Sequence, residues 1–413
     1  MNQDQLFKLT NSNVRQNEKI VVFGVGGGGG NALNHIIESN VQGVDFVAAN
    51  TDARALDQNL APNKIILGET LTRGLGAGAN PQVGTNAAKE SIDKVKEYIN
   101  GADMLFVTAG MGGGTGTGAA PVIAETARDM GVLVVGVVTK PFAFEMGKRM
   151  RTAEEGIEHL KKNVDALLIV ENEKLMDNAQ KMKIVDAYKK VDEVLRQAVQ
   201  GVTDLITKSG FVNLDFADIK AILTNAGTAI MGMGEGEGED RAKKAAQNAI
   251  TSPLMTFPVT GAKGILLNVT TGTEITLGEM SDAAHIIEET ADPDAQVIWG
   301  HVIDESLGEK VHVTLIATFP ENAMQNLPKN NAGRQQVRQP GINPENVPQQ
   351  PQQPVQPRQG SRTIYDIFTE KKEIANRGLQ EASLTTPSNE GAFPASQRKL
   401  YDQPALFRKN RKD

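Results

Sequence analysis

The sequence predicts an α/β fold: a doubly wound parallel sheet, a long central helix, a second, smaller α+β domain with a mixed sheet, and a disordered C-terminal tail. Three observations carry this expectation. Apolar runs alternate with amphipathic segments through the first half of the chain, the pattern of a parallel sheet covered on both faces. Two glycine clusters each follow such a run and each open a helix-like segment. Beyond Pro320 the composition turns to Gln, Pro and Asn, with little apolar surface to bury.

Six strands are expected first, at Lys19 to Gly26, Val44 to Asn50, Lys64 to Gly68, Met104 to Ala109, Val132 to Thr139 and Ala166 to Glu171, with helices in the gaps. The first glycine cluster, Gly26 to Gly30, lies between Ile20-Val-Val-Phe23 and Asn31-Ala-Leu-Asn-His-Ile-Ile37. The second, Gly112-Gly-Gly-Thr-Gly-Thr-Gly118, lies between Met104-Leu-Phe-Val107 and the segment from Ala119 to Ala127. A strand-to-helix turn almost without side chains lets a phosphate chain approach bare backbone N–H groups at a helix N-terminus. The bland alternative is a pair of flexible loops, but linkers are not usually bracketed by a buried strand and an amphipathic helix. Two cradles point to one nucleotide held between them. Its phosphates would meet the N–H groups of Gly27, Gly28, Gly29 and Gly30 and of Gly113, Gly114, Thr115 and Gly116, with the Thr115 hydroxyl as an extra donor. Neither cluster is followed by Lys-Ser or Lys-Thr, which excludes a Walker-type loop. Gly24-Val-Gly26-Gly-Gly-Gly29 does satisfy the dinucleotide fingerprint formally, with Asp45 near the distance of a ribose-binding acid.

The central helix follows from an apolar stripe at Ile184, Tyr188, Val191, Leu195, Ala198, Val202 and Leu205, in steps of three or four. It runs from Ile184 to Ile206 and stops at Ser209-Gly210, a C-terminal cap; a coiled coil is the competing reading. After it come the loop from Asn213 to Asp218, a helix from Ile219 to Met231, a Gly-Glu-rich turn from Gly232 to Gly238 and a helix from Glu239 to Ile250. A strand from Gly264 to Val269, a helix around Met280 to Glu289 and strands at Gln296 to Ile303 and Lys310 to Phe319 complete a mixed sheet. The expected divisions are an N-terminal extension (1–18), a nucleotide-binding domain (19–183), the connecting helix (184–209), a second domain (210–320), a linker (321–398) and a terminal peptide (399–413).

Composition narrows the function. Residues 322–413 carry 14 basic and 8 acidic side chains, leaving 29 and 42 in the rest, so the tail is +6 and the body −13. An acidic body argues against nucleic acid as the main partner. There is no cysteine, hence no disulfide or thiol chemistry. The N-terminus lacks a signal peptide, and the longest apolar run, Val132 to Val138, is too short to span a bilayer, so a soluble protein is expected. The five histidines show no metal-ligand spacing. Residues 322–361 hold 10 Gln, 7 Pro and 6 Asn, the composition of a linker. About 70 such residues would let the terminal peptide reach roughly 45 Å.

The second glycine cluster resembles the tubulin signature, and other motifs narrow the match to the bacterial cell-division branch of the tubulin/FtsZ GTPase family. These are Gly24 to Ala32, Asn50-Thr-Asp52, Gly74-Leu-Gly-Ala-Gly-Ala-Asn-Pro81, Val138-Thr-Lys-Pro-Phe142 and Asn213-Leu-Asp-Phe-Ala-Asp218. The resemblance runs from about Lys19 to Phe319. It implies GTP as substrate, with Mg2+ as the charge partner of the triphosphate and no all-protein metal cage. Gly76, Ala77 and Gly78 resemble the loop that senses the terminal phosphate, Asn31 and Asp192 the residues that contact the nucleoside, and Glu145 and Arg149 ribose and phosphate contacts. At their spacing, Glu145 and Arg149 also read as a surface ion pair. Tyr188 stands where the family stacks an aromatic ring on guanine, and its spacing equally fits the core stripe.

The same resemblance gives Asp215 and Asp218, with Asn213, a catalytic role on the nucleotide of the neighbouring subunit. The bland reading of this Asp-x-x-Asp is helix capping. Head-to-tail contacts of that kind do not close and generate a filament. The family further implies a division ring in the cytoplasm beneath the inner membrane, with membrane adaptors and regulatory division proteins bound by the terminal peptide. Here that peptide reads Asp402-Gln-Pro-Ala-Leu-Phe407, a departure from the family's Asp-Ile-Pro-Ala-Phe-Leu-like core. The segment before Asp186 looks one residue short, and Glu235 and Glu237 are extra acids. Two rivals stay open: an NAD-dependent oxidoreductase, which leaves the second glycine cluster without a role, and a nucleotide-binding scaffold without hydrolysis.

Overall fold

The computed structural model describes residues 18–176, 182–208 and 214–319. The chain separates after Arg338 into two units, and every described residue lies in the first. The N-terminal extension, Ser209-Gly210, Asn213, the linker and the terminal peptide lie outside the described residues.

The first half builds strands β1 (Ile20–Val25), β2 (Val44–Asn50), β3 (Asn63–Ile66), β4 (Met104–Gly110), β5 (Leu133–Lys140) and β6 (Ala166–Glu171). They pair in the order β3-β2-β1-β4-β5-β6, all parallel. Between them lie α1 (Gly26–Glu38), α2 (Ala53–Asp57), α3 (Glu69–Thr72), α4 (Pro81–Glu90), α5 (Ile92–Ile99), α6 (Thr115–Asp129) and α7 (Gly147–Lys161). Strand side chains alternate between faces, so each apolar run serves two cores. Val21, Phe23, Leu105 and Val107 pack with Ala87, Val95, Ile123 and Leu160 on one face. Ile20, Val22, Met104 and Phe106 pack on the other with Leu33 and Ile36 of α1.

The long helix is α8 (Ile184–Thr207), whose Val191, Val194, Leu195, Ala198 and Val202 complete that second core. Its first turns do not join the stripe: Ile184 and Tyr188 are exposed, because they project beyond the end of the sheet. Twenty-four helical residues span about 36 Å. At one end Tyr188 meets Phe142, just past the C-terminus of β5, edge to face at 5.3 Å. At the other, a Cβ on Gly43 would sit 2.6 Å from Thr207, beside the N-terminus of β2. The helix therefore runs from one end of the parallel strands to the other.

The second half contains α9 (Phe216–Leu223), β7 (Gly227–Gly236), α10 (Arg241–Ile250), β8 (Gly264–Thr271), α11 (Leu277–Thr290), β9 (Gln296–Ile303) and β10 (Val311–Phe319). β10 runs antiparallel to β7 and β8, while β8 and β9 are parallel. Ala166–Leu168 of β6 pair with Gly227–Ala229 of β7, so the mixed strands extend the parallel ones into a single ten-stranded sheet. The expected helix to Met231 ends at Leu223, and the expected Gly-Glu turn is mostly strand. The reason is packing. Cβ atoms on Gly232, Gly234 and Gly236 would overlap carbonyl oxygens of Ala249, Ala245 and Arg241, so the period-two glycines form a groove into which alanine-rich α10 settles.

Candidate functional site

The strand order reverses between β1 and β4, and both glycine clusters leave the C-terminal ends of these two neighbours. Crevices at such a reversal are where open α/β sheets bind ligands. The first cluster proves to be the opening turns of a helix, α1 beginning at Gly26, whereas Gly112 to Gly114 form a turn ahead of α6, which begins at Thr115. Neither helix has a side-chain N-cap, leaving the N–H groups of its first turn to other partners.

The two turns interlock. Gly26 has φ +72°, and a Cβ there would lie 2.8 Å from the Gly116 nitrogen and 3.3 Å from Thr115 Cβ. A Cβ on Gly28 would meet Gly110, and one on Gly114 would stand 2.8 Å from both Ala77 Cβ and the Asn80 nitrogen. Gly27, Gly78 and Gly113 differ: nothing lies within 4 Å of a Cβ on any of them. Some glycines therefore let backbones touch, and others face open space. Beside them a cleft of about 210 Å³ is lined by Gly27, Gly30, Asn31, Asn34, Asn50 and Asn59 among others. Asn59 donates to the Gly30 carbonyl at 2.9 Å.

Thr51, at the end of β2, shares a 2.6 Å hydrogen bond with the Thr115 hydroxyl and ties the two halves of the cradle. Asp52 caps α2 by accepting from Arg54 and Ala55. The segment after α3 docks on this corner, with the Gly76 N–H donating to the Thr51 carbonyl at 3.0 Å and the Ala53 N–H to that of Gly74. Arg73, Gly74, Gly76, Gly78 and Ala79 all have positive φ, which explains three of its glycines. Ala77 is buried against Gly114, so this loop touches the second cradle.

At the other end of the crevice, Glu145 closes a 3-10 turn and accepts from the Phe142 N–H at 2.9 Å. Its carboxylate pairs with Arg149 at 3.0 Å, yet the Glu145 side chain is only 9% exposed. This is no exposed-helix pair: Glu145 precedes α7 and only Arg149 belongs to it. Tyr188 joins them. Burial, then the Glu145 charge, raises its phenol, against the pull of Arg149. One turn on, burial pushes the Asp192 carboxyl up to about 6, opposed by His35 of α1. His35 Nε2 is 2.9 Å from Glu193.

A family model described as "Tubulin/FtsZ family, GTPase domain" matches residues 19–180, and one described as "FtsZ family, C-terminal domain" matches residues 227–319. Among solved structures, an empty FtsZ dimer from M. jannaschii is 41% identical, with TM-score 0.73, covering 83% of this chain and 100% of its own. The chain belongs to the tubulin/FtsZ family. A point mutant of FtsZ from M. jannaschii is 43% identical, with TM-score 0.73, over 77% of this chain and 95% of its own. CetZ2 from Haloferax volcanii, a GTPγS-bound protofilament, shares the fold at 20% identity and TM-score 0.63, over 73% and 93%. The GTPase domain of the family thus coincides with the crevice between β1 and β4.

As a member of the tubulin/FtsZ family the chain loses the dinucleotide reading, and its geometry agrees. Asp45 sits near the start of β2, paired in register with Val21 and 4.0 Å from Lys19, far from the ligand end of the strand. Asp215 and Asp218 are exposed, and Asp215 caps α9 by accepting from Ala217 at 3.2 Å. Both follow the distal end of α8, and α9 leads to Asn225 and Gly227, which bond to Asp165 ahead of β6. The acids therefore lie at the end of the sheet opposite the glycines. No group of three or more metal-ligating side chains occurs among the described residues. No helix there is long and apolar enough to cross a membrane. Sequence reasoning gave no site role to Thr51, Asn59 or His35; the available signal was position, at a strand's carboxyl end or one turn beyond Asn31.

Proposed function

We propose that the chain binds GTP in the β1/β4 crevice, polymerises head-to-tail, and hydrolyses GTP to GDP and phosphate at each subunit junction. The observation that carries this reading is the separation of the glycine turns from Asp215 and Asp218 by the length of α8, about 36 Å. Within one subunit the acids cannot reach a phosphate at the glycines. Stacking a second copy below the first brings one subunit's acids over the next subunit's nucleotide, an open heterologous contact that propagates as a filament. Exposed apolar side chains around the crevice, Leu75 after α3, Phe144 and Met146 at the 3-10 turn, and Ile184 and Val185 in the first turn of α8, are the kind of surface a partner covers.

In this reading the N–H groups of Gly27 to Gly30 and Gly113 to Gly116 hold the phosphates, Gly76 to Gly78 close over the terminal one, and Asn31, Tyr188 and Asp192 hold guanine. Glu145 and Arg149 fix the ribose side. Asp215 and Asp218 of the adjoining copy orient the attacking water, worth about 10²- to 10⁴-fold. The hydroxyls and amides at the crevice suit a magnesium ion that arrives on the triphosphate with its waters, where it neutralises charge. Losing the terminal phosphate then loosens the junction. In the cell the filament would form a cytoplasmic division ring, tethered by the terminal peptide through membrane adaptors. The test is phosphate release per molecule as protein concentration rises: it climbs with filament formation if the site is shared, and stays constant if each monomer is complete.

A further inference from the structure

Asp204 stands where an acid is doubly unfavourable. It lies in the last turn of α8, where the helix dipole disfavours negative charge, and it is only 4% exposed, so its carboxylate has lost its water. Lys208, the C-cap of the same helix, donates from Nζ to Asp204 Oδ2 at 2.9 Å, and Gln200, one turn back, donates to the same oxygen at 3.1 Å. The Lys208 backbone N–H closes on the Asp204 carbonyl at 3.0 Å. Asp204 Oδ1 meets no donor among the described residues. Burial raises the Asp204 carboxyl, and the bonds from Lys208 and Gln200 work against that rise. A buried pair of this kind adds little stability over apolar side chains of the same size, so stability alone does not account for it.

The pair sits on a firm support. Asn268 of β8 donates to the Gly201 carbonyl at 3.1 Å, a Cβ on Gly201 would lie 2.9 Å from Thr314 of β10, and one on Gly300 of β9 would lie 2.6 Å from Leu205. The same Cβ on Gly300 would lie 3.4 Å from Leu214, which packs against the core and directly precedes Asp215, the N-cap of α9. Asp304, just past β9, is held below its ordinary value by hydrogen bonds from Ser306 and, further off, by the charge of Lys208. The segment that carries Asp215 and Asp218 thus starts at Lys208, and its far side rests on the second domain. We propose that Asp204 and Lys208 are positioning residues: their buried ion pair fixes where the chain leaves α8 and so sets Asp215 and Asp218 over the adjoining copy's nucleotide. This rests on the reading that those two acids act across the junction. A displacement of about 1 Å at a catalytic group costs up to about 100-fold in rate, which is the scale on which such a clamp matters.

The experiment follows phosphate release by the full chain. Lys208→Gln should bind GTP with the wild-type dissociation constant and sediment as filaments, while kcat falls about 10- to 100-fold. Lys208→Arg, which keeps the charge, should restore most of the rate. Because Lys208→Gln leaves a buried carboxylate unpaired, Asp204→Asn with Lys208→Gln is the second variant: it removes both charges, should fold as wild type, and should be equally slow. Mixing then gives the direction of the defect. Combined with Gly27→Val, whose cradle is blocked and whose acids are intact, Lys208→Gln should recover release, because its own GTP then faces well-placed acids. Combined with Asp215→Ala/Asp218→Ala, which keeps its cradle, it should stay slow, because every acid in that mixture is misplaced or missing. Recovery in both mixtures, slow release in both although the proteins associate, or a wild-type kcat in the double variant would overturn the clamp. If Gly27→Val and the acid-free protein do not complement each other, the shared-site reading itself falls, and the clamp with it.

Discussion

Replacing Gly27 by Ala should separate stability from binding. Gly27 lies in the first turn of α1, its φ is outside the left-handed region, and nothing stands within 4 Å of the added Cβ. In the absence of nucleotide the methyl group meets no obstacle, and the lower entropy of the unfolded chain should raise stability by about 0.5 kcal/mol, up to 1 at most. With GTP, the methyl group would occupy space meant for phosphate oxygens. Losing one charge-assisted hydrogen bond costs roughly 1.5–3 kcal/mol, which weakens binding about 10- to 100-fold. Gly26→Ala should behave differently, because φ +72° and the Gly116 nitrogen 2.8 Å away oppose the new Cβ directly. The left-handed strain alone is about 1–2 kcal/mol, so this variant should lose stability as well as affinity. Urea unfolding without nucleotide and titration with GTP provide both numbers. Wild-type affinity in Gly27→Ala would refute the assignment of that open space to phosphate, and an undiminished midpoint in Gly26→Ala would refute the interlock.

Asp215→Asn keeps a good cap on α9 and Asp215→Ala removes it, so only the latter should lose about 1 kcal/mol of stability. Both, like Asp218→Ala, should bind GTP and sediment as filaments while phosphate release falls about 100-fold or more; unchanged release in Asp215→Asn would exclude a chemical role. Asp192 has a folded-state value of about 6, above its ordinary 3.8, so its effect on stability is absent below about pH 4 and becomes a full penalty above 6. Asp192→Asn should therefore stabilise the nucleotide-free protein by roughly 1–2 kcal/mol at pH 7.5, after allowance for partial solvent exposure, and by nothing at pH 4. Urea midpoints at pH 4, 6 and 7.5 check this, and equal midpoints throughout would contradict it. Gly234→Ala should lower the unfolding free energy measured in urea by roughly 1–3 kcal/mol as α10 lifts from β7, whereas Gly278→Ala, with only Thr276 Oγ1 at 4.0 Å, should not.

The parallel half of the fold was legible because Val/Ile/Leu runs such as Ile20–Phe23 and Met104–Val107 are buried on both faces and have one sensible reading. The glycine clusters were legible for a related reason, since each lies where such a run stops. Segment 227–236 was misread because Gly232, Gly234 and Gly236 are turn signals locally, while their meaning is the close approach of α10, a tertiary fact. Tyr188 was ambiguous because helical period says which face a residue shares and not whether the sheet extends far enough to cover it. The i, i+4 spacing of Glu145 and Arg149 likewise suggested one helix, but Met146, at φ +77°, separates the turn from α7. The Thr51–Thr115 bond and the His35–Glu193 bridge join residues 64 and 158 positions apart, beyond any local pattern.

The most direct measurement mixes two inactive variants. One carries Asp215→Ala with Asp218→Ala and keeps its nucleotide cradle; the other has a bulky residue in the open space of the cradle, Gly27→Val, and keeps both acids. With a shared site, phosphate release silent in either variant alone reappears when the two are combined, because the first subunit's GTP then faces the second subunit's acids. A mixture as silent as its components, although the two proteins are seen to associate, would contradict catalysis across the junction.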